Sequence, residues 1–174
     1  LVLARTLLSS NEAGLYAVGA VASKAAFWLP QAVGVVLYPQ MANPLHSAAA
    51  VRSALAVVAG LGTVLVIGGA LASPLLPLVV GDTYSGVQNY VWLFVLQGAC
   101  LAVLQSALLW AIAGERTHLA VVAWIALAAE VLLLLFVAST LAQFVTVAAA
   151  TAVVTMVVVC GLALWGKDIS RRRA

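Results

Sequence analysis

Charge is nearly absent from long stretches of this chain. Apolar runs cover residues 14–40, 53–80, 87–114, 119–139 and 144–165, and each reaches the roughly 20 residues that a helix needs to cross a bilayer core. Only short polar turns separate them. The 174 residues are 66% hydrophobic and 7% charged, with a mean hydropathy of +1.18, against about a quarter charged in soluble domains. A membrane barrel would show short segments of alternating polarity, whereas these runs are continuous. The expectation is an all-α, polytopic transmembrane bundle with the lipid bilayer as its solvent.

Composition also removes functions. A formal charge of +3, concentrated near the ends of spans, does not suggest nucleic-acid binding. Cys100 and Cys160 sit inside apolar runs with no second Cys or His at ligand spacing. They read as small buried hydrophobes, and no metal or cofactor is expected.

The run at 14–40 is the unusual one, because Lys24 lies near its middle and Pro30 follows. A lysine at bilayer depth costs roughly 2.5–3.5 kcal/mol on insertion scales, so it is expected to meet water or a partner rather than lipid. At 100° per residue, Ala17, Ala20, Lys24, Trp28, Gln31, Val35 and Tyr38 share one face. That face is expected to line a cavity. Pro30 should kink the helix, and Pro39 and Pro44 should mark its exit.

Residues 1–9 read as the end of a helix carrying Arg5, which either snorkels or faces a cavity, and Asn11 is a candidate N-cap for the next helix. The absence of an initial Met suggests a cut through a longer protein. Asn43, His46 and Arg52 form an expected polar loop. The second run is dense in small residues that allow close helix approach, from Ala59, Gly60 and Gly62 to Gly68, Gly69, Ala72 and Ser73. Pro74 and Pro77 should bend or break it before the loop 81–86.

The third run is the most polar, with Gln97 and Gln105 sharing a broad face as interhelical hydrogen-bond glue or as part of a substrate path. Loop 114–118 follows. In the fourth run, Glu130 shares a side with Ala123 and Ala126, which points its carboxyl toward a packed interface or cavity. The fifth carries only small polar groups such as Thr146, Thr151 and Thr155, and 166–174 form a basic tail.

Arg52, Arg116 and the cluster Lys167, Arg171, Arg172 and Arg173 fall on alternate connections. The positive-inside rule makes those connections, and the C-terminal tail, cytoplasmic. This fits five full spans after the end of a sixth, which runs outward.

The segments AGLYAVGAV (13–21) and VVLYPQMA (35–42), with Gly14, Tyr16 and Pro39, and PLLPLVVGDTY (74–84), with Gly81 and Tyr84, resemble bacterial polysaccharide-biosynthesis membrane proteins. These are lipid-linked oligosaccharide flippases of the multidrug/oligosaccharidyl-lipid/polysaccharide exporter superfamily. The resemblance implies two lobes around a central cavity, alternating access, and a bacterial cytoplasmic (inner) membrane. It makes this chain most of the C-terminal lobe, with an N-terminal lobe of the same chain as partner. The implied cargo is an undecaprenyl-type lipid-linked oligosaccharide.

On that reading Lys24 and Arg5 meet the pyrophosphate, and Trp28 and Tyr38 stack on sugars, with Gln31, Gln97 and Gln105 completing the substrate set. Pro30, Pro74 and Pro77 act as hinges, and Glu130 either couples an ion or neutralises Lys24. A cation-coupled drug or metabolite exporter of the same superfamily is the alternative. A membrane transferase would draw on His46, His118, Glu115 and Asp82, but no catalytic spacing joins them, so no enzyme is expected. A non-transporting scaffold would leave Lys24 without a role.

Overall fold

The computed structural model describes residues 2–42, 47–113 and 118–171, and among them every regular element is helical. The helices are α1 (Val2–Leu7), α2 (Ser10–Ala42), α3 (Ser47–Ala72), α4 (Leu76–Val80), α5 (Val91–Ala113), α6 (His118–Val137) and α7 (Leu141–Arg171). Among the described residues four stretches are long and apolar enough to cross a membrane: Arg52–Val79, Thr83–Ile112, Leu119–Val137 and Leu141–Ala163. They match four of the five expected runs. The run at 14–40 falls within α2, a helix of 33 residues, several of whose later side chains lie outside the described residues.

Helix α5 is the centre of the bundle, with α2, α3 and α7 packed around it, while α6 lies outside against α7. One core cluster joins Val58 of α3, Ala107 and Trp110 of α5, Leu119 of α6 and Val159 of α7. A second, at the opposite end, joins Ala4, Leu15, Phe94, Leu134 and Phe144. The outer face of α6 exposes Trp124, Ile125, Leu132 and Phe136, a composition suited to hydrocarbon.

Close approach to α5 depends on missing side chains. Gly62 and Gly69 of α3 face it: a Cβ on them would come within 3.0 Å of the Ala99 Cβ and 2.9 Å of Val95. Gly60 and Gly68 point into open space, so only part of the small-residue run serves packing. The tightest contact involves Gly19 and Gly98, on α2 and α5. The Phe94 ring occupies the space above Gly19, and the Ser23 carbonyl of α2 lies against Gly98.

Several expected boundaries move. The N-cap of α2 is Ser9, not Asn11. Its hydroxyl accepts the Glu12 N–H at 3.4 Å, while the Glu12 carboxylate accepts the Ser9 N–H at 3.3 Å and the Ser9 hydroxyl at 2.8 Å. This Ser-x-x-Glu capping box satisfies two donors that the first turn leaves unpaired. Glu12 also accepts the backbone N–H of Leu141, the first residue of α7, at 3.1 Å. The N-terminus of α7 is capped in the same style, with the Gln143 N–H donating to Thr140 at 3.4 Å and the Gln143 amide oxygen accepting the Ser139 N–H at 3.0 Å.

These bonds hold the Glu12 carboxyl below the usual carboxylate range, with the Ser9 hydroxyl the largest cause and the Leu141 N–H next. The charged form is therefore the one the folded chain favours. Its stabilising contribution is complete above the ordinary carboxylate range and is lost as pH falls through the lowered value. Glu12→Ala should cost about 1 kcal/mol and flatten the acid limb of a detergent-solubilised unfolding profile; an unchanged acid limb would remove Glu12 from the account.

Helix α2 passes through Pro30, which is buried, and through Pro39, and ends at Ala42 instead of at Pro39. Arg52 lies inside α3 rather than in a loop. Asn43, Pro44 and His46 lie outside the described residues, as do Glu115 and Arg116. His118 opens α6 rather than closing a loop.

Pro74 does break its helix, into a 3-10 turn at Ser73–Leu75 followed by α4, which holds Pro77. The expected loop 81–86 is instead part of a 3-10 helix, Asp82–Tyr90, tied back by the Ser73 hydroxyl donating to the Gln88 carbonyl. The expected tail from residue 166 continues α7 as far as Arg171. Gly81, at φ +90°, turns the chain out of α4. A Cβ there is strained by about 1–2 kcal/mol, so Gly81→Ala should lower the melting temperature measurably, and an unchanged melt would contradict this role.

Candidate functional site

Two separate polar arrangements emerge from the sequence candidates. The first is the open side of α2. Gly19, Ser23 and Ala26 face α5, and Ala22, Ala26 and Leu29 border a groove against α3 and α5. Successive residues advance 100°, so this packing turns Ala17, Lys24 and Trp28 away from α5. All three are exposed, Trp28 at 68%. Lys24 stands about midway along α2, and among the described residues no carboxylate pairs with it.

Arg5 of α1 is also exposed. It lines an open cavity of about 410 Å³ with Ser10, Ala13, Gly14 and Ala17. Ala17 thus connects the Arg5 cavity to the Lys24 face, about two helical turns before Lys24 along the same side. Gln31, on the flank of this face, is half-buried. The side chain of Tyr38 lies outside the described residues.

Gln97 and Gln105 are not brought to this face. Both are half-buried on α5, which packs on the other side of α2. The substrate set read from the sequence therefore divides, with Arg5, Lys24 and Trp28 on one surface and the two glutamines within the bundle.

The second arrangement surrounds Glu130. Its side of α6, with Ala123 and Ala126, is half-buried and meets α7, whereas the remaining faces are largely exposed. The carboxyl lies beside the Thr151 hydroxyl of α7 and within electrostatic reach of the Tyr16 phenol of α2. Tyr16 is itself fixed by two rings, Phe94 at 5.4 Å and Phe144 at 4.9 Å between centroids. The half-buried Glu130 carboxyl thus sits where α6 meets α7, with Tyr16 of α2 nearby. Lys24 is not its partner: it lies eight residues beyond Tyr16, about 12 Å along the helix axis, and on the open face. The neutralising role for Glu130 is thereby removed.

Sequence reading named Glu130 without its neighbours. Tyr16 carried a signal as part of the Gly14–Tyr16 motif, but Thr151 had none among the threonines of its run, three of which bond their own helix carbonyls. Among the described residues no group of three or more His, Cys, Asp or Glu side chains is placed to share a metal ion.

Compared with protein-family models, curated proteins and solved structures, the chain matches none of them.

Proposed function

We propose that this chain is the cavity-lining half of a membrane transporter that moves a lipid-linked oligosaccharide across a bacterial cytoplasmic membrane by alternating access. The observation that carries this reading is Lys24, an exposed ammonium halfway along a 33-residue helix that meets no carboxylate among the described residues. Lipid contact at that depth would be costly, so the open face of α2 meets water and, in turn, an anionic cargo. Trp28, one turn on, offers a flat apolar face with a polar edge, which suits a sugar ring. Arg5 at the end of the same surface adds a second cation for a pyrophosphate. A further lobe of the same chain would close the cavity over this face, and the Pro74 break would absorb the motion.

A cation-coupled exporter of the same superfamily is the second reading. It draws on Glu130, whose position between Tyr16 and Thr151 suits a proton or cation site. The test is expression of the full-length protein in cells lacking their own polysaccharide flippase. Restored surface polysaccharide supports the flippase. No restoration at normal membrane abundance, together with gradient-driven efflux of a cationic dye that Glu130→Gln abolishes, supports the exporter instead.

A further inference from the structure

The cavity of about 410 Å³ beside α1 is more than the end of the Lys24 face. Arg5 comes to it from α1, and Ser10, Ala13, Gly14 and Ala17 from the first turns of α2. One hydrogen bond fixes its depth. Glu12, in the same turn as Ser10, accepts the Leu141 N–H at 3.1 Å, and Leu141 opens the membrane-crossing stretch Leu141–Ala163. The polar mouth of the cavity therefore lies level with one edge of the hydrocarbon, and Ala13, Gly14 and Ala17 follow it inward. Ser10 precedes Lys24 by fourteen residues, about 21 Å along the axis of α2. One diphosphate cannot touch both, so this cavity is a station separate from Lys24.

We propose that this cavity holds the head group of an anionic phospholipid of the surrounding bilayer. Its phosphate meets Arg5 and Ser10, and its glycerol and first acyl carbons lie against Ala13, Gly14 and Ala17. Charge is the first reason. Glu12, the one carboxylate in that turn, has both oxygens engaged elsewhere: one accepts the Ser9 N–H and hydroxyl, the other the Leu141 N–H. Arg5 makes no ion pair among the described residues, so the mouth keeps a net positive charge. Donors are the second. A guanidinium presents a planar fork to phosphate oxygens, and the Ser10 hydroxyl, unbonded among the described residues, adds another donor. The Thr6 hydroxyl of α1, in contrast, already donates to the Leu3 carbonyl at 3.0 Å. Shape is the third. The wall turns from polar to apolar with depth, as a phospholipid does where head group joins chain. Gly14 leaves that wall open, since a Cβ there would meet nothing within 4 Å. The inference requires only that the helices cross a membrane, not that the protein transports a cargo.

The experiment places the purified full chain in phosphatidylcholine bilayers with a minor fraction of phosphatidylglycerol carrying a diazirine near its glycerol. Cross-linked residues are mapped by mass spectrometry. Saturable labelling concentrated at residues 13–17 is expected. Arg5→Gln should raise the half-saturating lipid fraction about tenfold, the size of one charge-assisted hydrogen bond. Gly14→Leu fills the wall with a better helix former and should raise it severalfold with the charge intact. Arg52→Gln, at an exposed arginine of α3, should leave it unchanged. Circular dichroism on each variant separates lost binding from lost folding. Equal labelling by a diazirine diacylglycerol, which lacks the phosphate, would reduce the cavity to apolar contact. Displacement by dissolved glycerol phosphate would make it a site for free anions. Either result, or wild-type labelling in folded Arg5→Gln or folded Gly14→Leu, would overturn the inference.

Discussion

Gly98→Ala is expected to destabilise the bundle by about 3 kcal/mol or more, at the upper end of the range for overpacked cores. The added Cβ would overlap the Ser23 carbonyl oxygen and lie 3.1 Å from the Ala26 Cβ. Backbone cannot rotate aside as a side chain does, so α2 and α5 must separate along their whole interface. In a bilayer such a shift removes van der Waals contact that hydrophobicity does not replace. Gly19 compounds the effect, because the Phe94 ring fills the space above it, and Phe94 also supports Tyr16. Gly60→Ala and Gly68→Ala provide the contrast: their Cβ atoms meet nothing within 4 Å, and the better helix former should leave stability equal or higher by up to about 1 kcal/mol. Unfolding of the four proteins in one detergent measures this directly. Equal loss in Gly98→Ala and Gly60→Ala would contradict the assigned interface.

Lys24→Gln is expected to lower cargo movement by roughly tenfold to a hundredfold, the equivalent of one charge-assisted hydrogen bond of about 1.5–3 kcal/mol. Membrane abundance should be unchanged, since the ammonium makes no ion pair among the described residues whose loss would destabilise the fold. Lys24→Arg should retain most of the flux, because a guanidinium also binds phosphate oxygens. Flux by Lys24→Gln equal to wild type, measured with reconstituted protein and a labelled polyprenyl pyrophosphate sugar, would return Lys24 to a surface role.

The helical class was legible because hydropathy over a long run is insensitive to detail, and four of the five runs reappear as helices able to span a membrane. Boundaries were less so. The cap falls at Ser9 rather than Asn11, and the Ser9–Glu12 spacing is itself a capping-box signature in the sequence. Pro39 is the expected end of α2, yet the helix continues to Ala42. The polar stretch 81–86 looked like a loop, and its wrapping into a 3-10 helix depends on the Ser73 contact with Gln88, a tertiary bond with no sequence signal.

The candidate site was legible in part for the same reason. Helical periodicity placed Lys24 and Trp28 together on one face, which needs only the 100° step. It could not show that α5 packs on the other side of α2, which separates Gln97 and Gln105 from them. Nor could it bring Tyr16, Glu130 and Thr151 together, since their meeting depends on three helices that are far apart in sequence.

On the proposed transporter reading, the open face of α2 meets water at bilayer depth. In the full-length protein with Cys100 and Cys160 replaced by Ala, single cysteines at positions 17, 24 and 28 would be tested with a membrane-impermeant maleimide in intact and in inverted vesicles. Position 125, on the exposed outer face of α6, serves as the lipid-facing reference. Modification is expected at 17, 24 and 28, blocked by prior treatment with a small water-soluble thiol reagent, and none at 125. Protection of position 24 equal to that of 125 would place Lys24 against lipid and contradict the account.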